Sequence, residues 1–497
     1  MSEPKTSAGV GTTEDVTTAS VARATRHTAL SQGFTQAVRF ATTIVLARLL
    51  TPDDFGVVAI AMVVSMLIDQ LKDVGTGSAI VQKDMVDDAL INAVFYLNLV
   101  LGTLLAATMY LTAGPVASLL GNQDAEPVLQ AFAAITFLTS FAQIHHALLR
   151  RQLRFFELAV VTTTTAAVTA AVSIAAAVLG LDYWALVAGT AAGAVVGTVM
   201  VWHYDRWRPT WGRVELSSLQ SIWRFSYHLF LSNLLFLVFN QVDKVIVSRF
   251  LGGGALGTYT LAQRTVTSPI ATVGSVVAEV TFPAFSRRQD DDAALRAGYV
   301  KSSRVVALVT FPAMCGLAAL ATPAVAVVFG PDWNDLVPII WLLAPVAAIQ
   351  SVTASSGQIL LAKGRSDISY RWGIVYCVVL TVGELCAVPW GLPGVAAAFA
   401  AGVLLLMPFG LMLAFREIDL RLRDYAREML PYVWITLVMT AIAFGASQGV
   451  RAVGGSQLLE LAVGTLAGGL AYVLLLRRVR PQGLLDAMSA LRERPSA

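Results

Sequence analysis

The sequence predicts an all-α integral membrane protein of about fourteen spanning helices. These form two parallel-repeat six-helix bundles with two more helices at the C-terminal end. Three observations predict it. Apolar residues make up 56% of the 497 positions and charged residues only 13%, where soluble domains carry about 25% charge; mean hydropathy is +0.68. Apolar stretches recur along nearly the whole chain, and basic residues collect in alternate connections between them. A soluble multidomain enzyme is excluded.

A helix needs about 20 apolar residues, at 1.5 Å rise each, to cross the hydrocarbon core. Residues 1–28 are polar and Thr/Ser/Ala-rich, lack the apolar region of a signal peptide, and read as a disordered cytoplasmic tail. The first bundle, 29–203, holds candidate spans near 29–50, 55–75, 89–113, 127–149, 157–179 and 183–203. A basic cytoplasmic linker, 204–222, leads to the second bundle, 223–416. Its spans lie near 225–251, 255–285, 299–322, 336–361, 370–389 and 392–415. Helices thirteen and fourteen, 430–449 and 457–476, fall within 417–479, and 480–497 forms a cytoplasmic tail. A count of twelve is the alternative.

The connections orient the chain through the positive-inside rule. One set carries Arg150, Arg151 and Arg154, then Arg206, Arg208 and Arg213, then Arg287, Arg288 and Arg296. It continues with Lys363 and Arg365, the group from Arg416 to Arg427, and Arg477, Arg478 and Arg480. The connections at 114–126, 323–335 and 389–394 contain no Lys or Arg. Both termini are therefore expected in the cytoplasm, with the chain in the cytoplasmic membrane.

Two turns on the non-basic side are alike. Residues 44–61 read IVLARLLTPDDFGVVAIA and residues 245–262 read VIVSRFLGGGALGTYTLA. Arg48/Arg249, Leu50/Leu251, Gly56/Gly257 and Ala61/Ala262 coincide at an offset of 201 residues. That offset lays helix one on helix seven and helix two on helix eight. An even-numbered unit repeats in the same orientation, about an axis along the membrane normal.

A charge at the bilayer centre costs about 2.5–3.5 kcal/mol on insertion scales, so it needs a partner or a wet cavity. In helix one, Gln32, Gln36, Arg39 and Thr43 share one helical face. In helix seven, Asn233, Asn240 and Lys244 recur with Asp243 beside them, and helix eight adds Gln263 and Arg264. The 201-residue offset places Arg39 on Asn240 and Thr43 on Lys244, so the two polar faces are expected to meet across a central cleft. Arg39, Gln36, Asn240, Lys244, Gln263 and Arg264 are candidate contacts for an anionic substrate. The competing reading is internal ion pairing, with Asp243 or Glu279 neutralising the cations. Asp69, Asp243, Glu279 and Glu384 are candidates for proton or cation coupling, against a structural role for each. Thr136, Ser140, Gln143, His146 and Arg150 on helix four, and Gln350, Ser351, Ser355, Ser356 and Gln358 on helix ten, are candidates to line an inner vestibule for sugars, with helix–helix hydrogen bonding the equal alternative. Arg48 and Arg249 are expected to snorkel to the interface.

Other chemistries find no support. Cys315, Cys377 and Cys386 lie in apolar runs without disulfide or zinc spacing. There is no GxxxxGK[ST] for ATP, no HExxH and no Ser/His/Asp constellation. Gly252, Gly254 and Gly257 match GxGxxG literally but follow a membrane helix, which makes them a turn. The acidic run Asp290, Asp291 and Asp292 reads as a solvated loop. No metal, cofactor or nucleic-acid partner is expected. The longest non-basic connection, 114–126, is short for an enzyme that works on the outer surface.

The segment Ala47–Gly56, ARLLTPDDFG, resembles the first outer turn of polysaccharide exporters in the multidrug/oligosaccharidyl-lipid/polysaccharide superfamily. Asn240–Gly252, NQVDKVIVSRFLG, is similar to the helix-seven signature of the same group. The resemblance implies two six-helix lobes facing each other as a V, plus two extra helices. It also implies alternating-access flipping of polyprenyl-diphosphate-linked oligosaccharides, as in Wzx-type flippases of lipopolysaccharide and exopolysaccharide synthesis. Partners would be the lipid-linked glycan, membrane lipid, and the glycosyltransferases and polymerase of such a pathway. The alternatives are a peptidoglycan lipid-precursor flippase and a multidrug/toxin extruder of the same superfamily.

Overall fold

The computed structural model describes residues 18–72, 80, 87–210, 241–268, 270 and 291–486. Every regular element among them is helical, as a chain that must satisfy its backbone inside lipid requires. The first lobe comprises α1 (Thr18–Leu49), α2 (Pro52–Lys72), α3 (Asp88–Leu111), the short α4 (Ala113–Leu119), α5 (Ala125–Ser140), α6 (Gln143–Arg151), α7 (Phe155–Val178) and α8 (Trp184–Tyr204). The second begins with α9 (Val242–Leu251) and α10 (253–268). It continues through α11 (Asp292–Ala319), α12 (Ala321–Val328), α13 (Leu336–Thr353), α14 (Ser356–Ala362), α15 (Ser366–Ala387) and α16 (Gly391–Arg416). The added pair is α17 (Leu422–Ala452) and α18 (Gln457–Val479); α17 packs on α11 and α18 on α12.

Three details differ from the sequence-based expectation. The first helix starts at Thr18, well before residue 29. The fourth span breaks at Phe141–Ala142, where α5 and α6 meet at 40°. The acidic run caps a helix: Asp291 accepts from the Ala294 amide at 2.9 Å, and Asp292 lies 2.5 Å from the Lys363 ammonium.

Nine stretches among the described residues are long and apolar enough to span a membrane, ten if the bent pair counts as one. One of them, Asp367–Arg416, holds both α15 and α16, joined by the Val388–Trp390 turn. Helix α1 is not among them, because Arg23, Arg26, Arg39 and Arg48 dilute its apolar content. Spans seven and eight of the expected series lie partly outside the described residues, as does most of the 204–222 linker.

The lobes meet at the non-basic face, where helices pack through small residues as lipid-embedded helices do. A Cβ on Gly56 would run into the Gly253 carbonyl, and one on Gly257 into the Pro52 carbonyl and the Gly56 amide. Ser248 Oγ donates to Leu120 O at 2.8 Å. Trp333, 1% exposed, donates through Nε1 to Ala47 O at 2.6 Å and meets Phe55 edge-on. Arg48 does more than snorkel: its guanidinium donates to Val327 O and Val328 O in the other lobe. Gly252 has φ +89°, so the GxGxxG match is a turn that only glycine enters readily.

The basic ends of the lobes are tied separately. Arg154 donates to Tyr204 O at 2.9 Å and Arg296 to Ile418 O at 3.2 Å. The linker's first residues dock on the first lobe: Thr210 and Asn92 bond reciprocally at 2.9 Å, and buried Asp205 lies 2.7 Å from His145 Nδ1. Trp202 and Trp207 flank that imidazole.

Candidate functional site

Periodicity on α1 sets one wall of the site. Gln36, Arg39 and Thr43 project from it, and Gln36 Nε2 donates to Ser268 Oγ on α10, linking the lobes at depth. Thr43 returns its hydroxyl to Arg39 O at 2.9 Å, the usual way a membrane threonine satisfies itself. Arg39 is exposed and lines a cavity of about 790 Å³ whose described lining residues belong to the first lobe. Its other walls carry Asp69 and Lys72 from α2, Thr139 from α5, Gln143, His146 and Arg150 from α6, and Thr162, Thr165 and Thr198 from α7 and α8.

Two kinds of cation stand in this cavity. Lys72, with 5% of its side chain exposed, lies 2.7 Å from Asp69 and donates to Thr136 O at 3.3 Å and Thr139 Oγ1 at 3.1 Å. Its three donors are satisfied and its charge is neutralised. Arg39 and Arg150 are exposed and have no carboxylate within ion-pair distance among the described residues.

The second lobe supplies the opposite wall. Arg264 projects from α10 into a small gap lined by Phe55, Met62, Leu186 and Thr260, within electrostatic range of Arg39. It too has no ion-pair partner among the described residues. Lys244 Nζ donates to Gln241 Oε1 at 2.8 Å and feels Asp243 and Arg264 electrostatically. Asp243 is buried and accepts from Tyr259 Oη at 3.1 Å and Gln263 Nε2 at 2.7 Å. Glu384 on α15, 3% exposed, lies within electrostatic range of Asp243.

Gln36 and Arg39 of the first lobe thus come near Ser268 and Arg264 of α10, while Lys244 and Gln263 bond to Gln241 and Asp243 within their own lobe. Asp69 belongs to the first-lobe cavity, paired with Lys72. Asn240 and Glu279 lie outside the described residues. Lys72 went unrecognised in the sequence, although its place three residues after Asp69 is the signal for a helical ion pair. Gln263 serves the Asp243 carboxylate, and Tyr259 beside it carried no sequence signal.

The fold defines a two-lobed, multi-pass membrane protein with basic side chains in its polar interior. The chain belongs to the family of polysaccharide biosynthesis proteins, whose model matches residues 45–338. It is 26% identical to the teichuronic acid biosynthesis protein TuaB of Bacillus subtilis over 82% of this chain and 85% of that one. It is 28% identical to the lipopolysaccharide biosynthesis protein WzxC of Escherichia coli, over 66% of this chain and 67% of that one. The same identity links it to the succinoglycan biosynthesis transport protein ExoT of Rhizobium meliloti, over 74% of each chain. Among solved structures, the lipid II flippase MurJ in an inward closed conformation superposes with TM-score 0.68 at 13% identity, over 91% of this chain and 99% of that one. An inward-facing multidrug resistance MATE family transporter of the MOP superfamily gives 0.59 at 18% identity, over 77% and 94%. The fold is therefore that of the MOP superfamily.

Proposed function

We propose that the protein flips a polyprenyl-diphosphate-linked oligosaccharide across the cytoplasmic membrane by alternating access, for cell-surface polysaccharide synthesis. One observation carries the reading. Arg39 from one lobe and Arg264 from the other lie in electrostatic range of each other, and neither is in an ion pair among the described residues. Two exposed cations left together at the centre of a membrane protein repel one another and are costly. An anionic headgroup between them relieves both penalties, and a diphosphate matches guanidinium donors in charge and geometry. A multidrug extruder of cations would gain nothing from such a lining.

In this reading the termini and basic connections face the cytoplasm, so the contacts at Gly56, Ser248, Trp333 and Arg48 form a closed outer gate. The headgroup enters from the cytoplasmic side while its polyprenyl tail stays in lipid. Rocking of the lobes then exchanges the closed outer gate for a closed inner one. The lobe contacts must hold the headgroup nearly equally in both states, or it would be trapped in one. In the same reading Asp243, with Tyr259 and Gln263 around it and Glu384 near, couples a proton or cation to that exchange. Glycosyltransferases supplying the lipid-linked glycan and a polymerase consuming it are the expected partners. The test is Arg39→Ala: surface glycan should be lost while the protein's membrane level stays normal. Normal surface glycan would remove Arg39 from the path.

A further inference from the structure

We infer that the fourth span of the first lobe is a hinge at Phe141–Ala142. Its inner half, α6, swings there as an arm that opens and closes the basic side of the cavity, while the equivalent arm α14 of the second lobe is pinned. This joint rests on the alternating-access reading above and adds to it an inner gate that moves within one lobe.

The repeat places the two breaks at the same point. α5 and α13 begin 211 residues apart, at Ala125 and Leu336, and α7 and α15 keep that offset, at Phe155 and Ser366. So do the left-handed pairs Leu153/Gly364 and Gly180/Gly391. The offset lays Phe141 on Val352, and side chains take the carbonyl of each. Phe141 O accepts from Trp202 Nε1 at 3.0 Å. Val352 O accepts from Tyr299 Oη, Ser303 Oγ and Tyr425 Oη at 3.2–3.3 Å. Side chains inserted into a helix ladder are a known cause of kinks, and a break with a captured carbonyl in both copies belongs to the repeat itself.

The two copies hold the joint differently. In the first lobe the halves meet at 40°, whereas α13 and α14 continue as one span, Leu336–Ala362. The Phe141 and Ala142 amides bond three residues back, to Leu138 O at 3.2 Å and Thr139 O at 3.0 Å. That 3₁₀ pattern within a helix often marks a hinge. Both residues keep right-handed helical dihedrals, so a change of bend strains no backbone. One indole N–H holds the first joint; three hydroxyls from two helices, α11 and α17, hold the second. The first is therefore the one that moves.

The arm moves with its attachments. His145 on α6 lies 2.7 Å from Asp205, and Arg154, just past the arm, donates to Tyr204 O at 2.9 Å. Trp202 therefore sits at the pivot, and the chain just beyond it travels with α6. Gln143, His146 and Arg150 of α6 are among the described lining of the cavity. A swing thus changes access to it without any motion of the second lobe.

Spin labels on the full-length protein in lipid nanodiscs test the joint, in a background lacking Cys315, Cys377 and Cys386. Gln152→Cys at the tip of the arm is paired in turn with Leu104→Cys on α3 and Val199→Cys on α8, all exposed positions. Leu361→Cys on α14 is paired with Leu404→Cys on α16, also exposed. Gly257→Leu crowds the contact between the lobes on the non-basic face and drives the opposite access state, which Leu119→Cys with Phe250→Cys reports. The nine-residue arm is about 13 Å long, so at least one Gln152 distance should change by roughly 5 Å or more. The Leu361 distance should not change. Trp202→Phe keeps a ring beside Phe95 and His145 but loses the indole donor, and should broaden both Gln152 distributions. If the Leu119–Phe250 distance lengthens in Gly257→Leu while both Gln152 distances stay fixed, the first lobe moves as a rigid body. The hinge is then wrong and the alternating-access reading stands. A Leu361 shift as large as that of Gln152 would overturn the pinned second arm. If no pair moves in Gly257→Leu and Trp202→Phe leaves the Gln152 distributions narrow, the hinge and the alternating access fall together.

Discussion

Gly56 and Gly257 press backbone to backbone at the non-basic face: a Cβ built on Gly257 would lie 2.8 Å from the Gly56 amide nitrogen and closer still to Pro52 O. The two glycines are equivalent under the 201-residue offset, so each repeat contributes the same turn to one contact. An isologous pairing of this kind closes the gate about a pseudo-twofold axis, and side chains have no room in it.

Gly257→Leu should therefore hold the gate open. Overpacking costs about 1–3 kcal/mol, which shifts the closed population by roughly 5- to 150-fold. Spin labels on Leu119→Cys and Phe250→Cys, both exposed at this face, should report a longer distance between the lobes. An unchanged distance would remove these glycines from the gate.

Trp333→Phe keeps the ring that meets Phe55 but loses the indole donor to Ala47 O. A hydrogen bond of this sort is worth about 0.5–1.5 kcal/mol, so the closed population should fall only a few-fold by the same label pair. Export should persist at a reduced rate.

Asp205→Ala strips the partner from buried His145 and frees the start of the linker between the lobes. Loss of a buried hydrogen-bonded partner costs about 1–3 kcal/mol, so the unfolding midpoint in detergent should drop by several degrees. Asp205→Asn keeps an acceptor oxygen and should restore most of it. Equal melting of all three proteins would mean the pair carries no load.

Asp243→Asn retains the size of the side chain that Tyr259 and Gln263 surround. If the carboxylate couples an ion, the variant should still bind farnesyl diphosphate but lose export driven by a proton or sodium gradient. Gradient-driven export at the wild-type rate would assign Asp243 a purely structural role.

The helical class, the succession of apolar spans and the repeat were legible because lipid imposes them: backbone groups must be satisfied within each helix, and length follows from bilayer thickness. The offset between two turns set Arg39 opposite Asn240, which lies outside the described residues; the structure brings Arg39 within electrostatic range of Arg264 on α10. The break between α5 and α6 was not, since Phe141 and Ala142 carry no proline or glycine signal. Neither was Arg48 as an inter-lobe clasp, because its partners are backbone carbonyls some 280 residues away, which no periodicity reveals. Lys72 was hidden for the opposite reason. Its charge sits at a helix end, where snorkelling is the ordinary expectation, and only the fold turns it inward.

The proposed function requires arginines of both lobes to line one water-filled passage that is open on the basic side. Reaction of Arg39→Cys and Arg264→Cys with a membrane-impermeant thiol reagent tests it most directly, in a background lacking Cys315, Cys377 and Cys386. Both positions should react from the cytoplasmic side while the outer gate is closed, and both should be shielded by farnesyl diphosphate. Failure of both positions to react from either side, in wild-type and Gly257→Leu backgrounds alike, would contradict it.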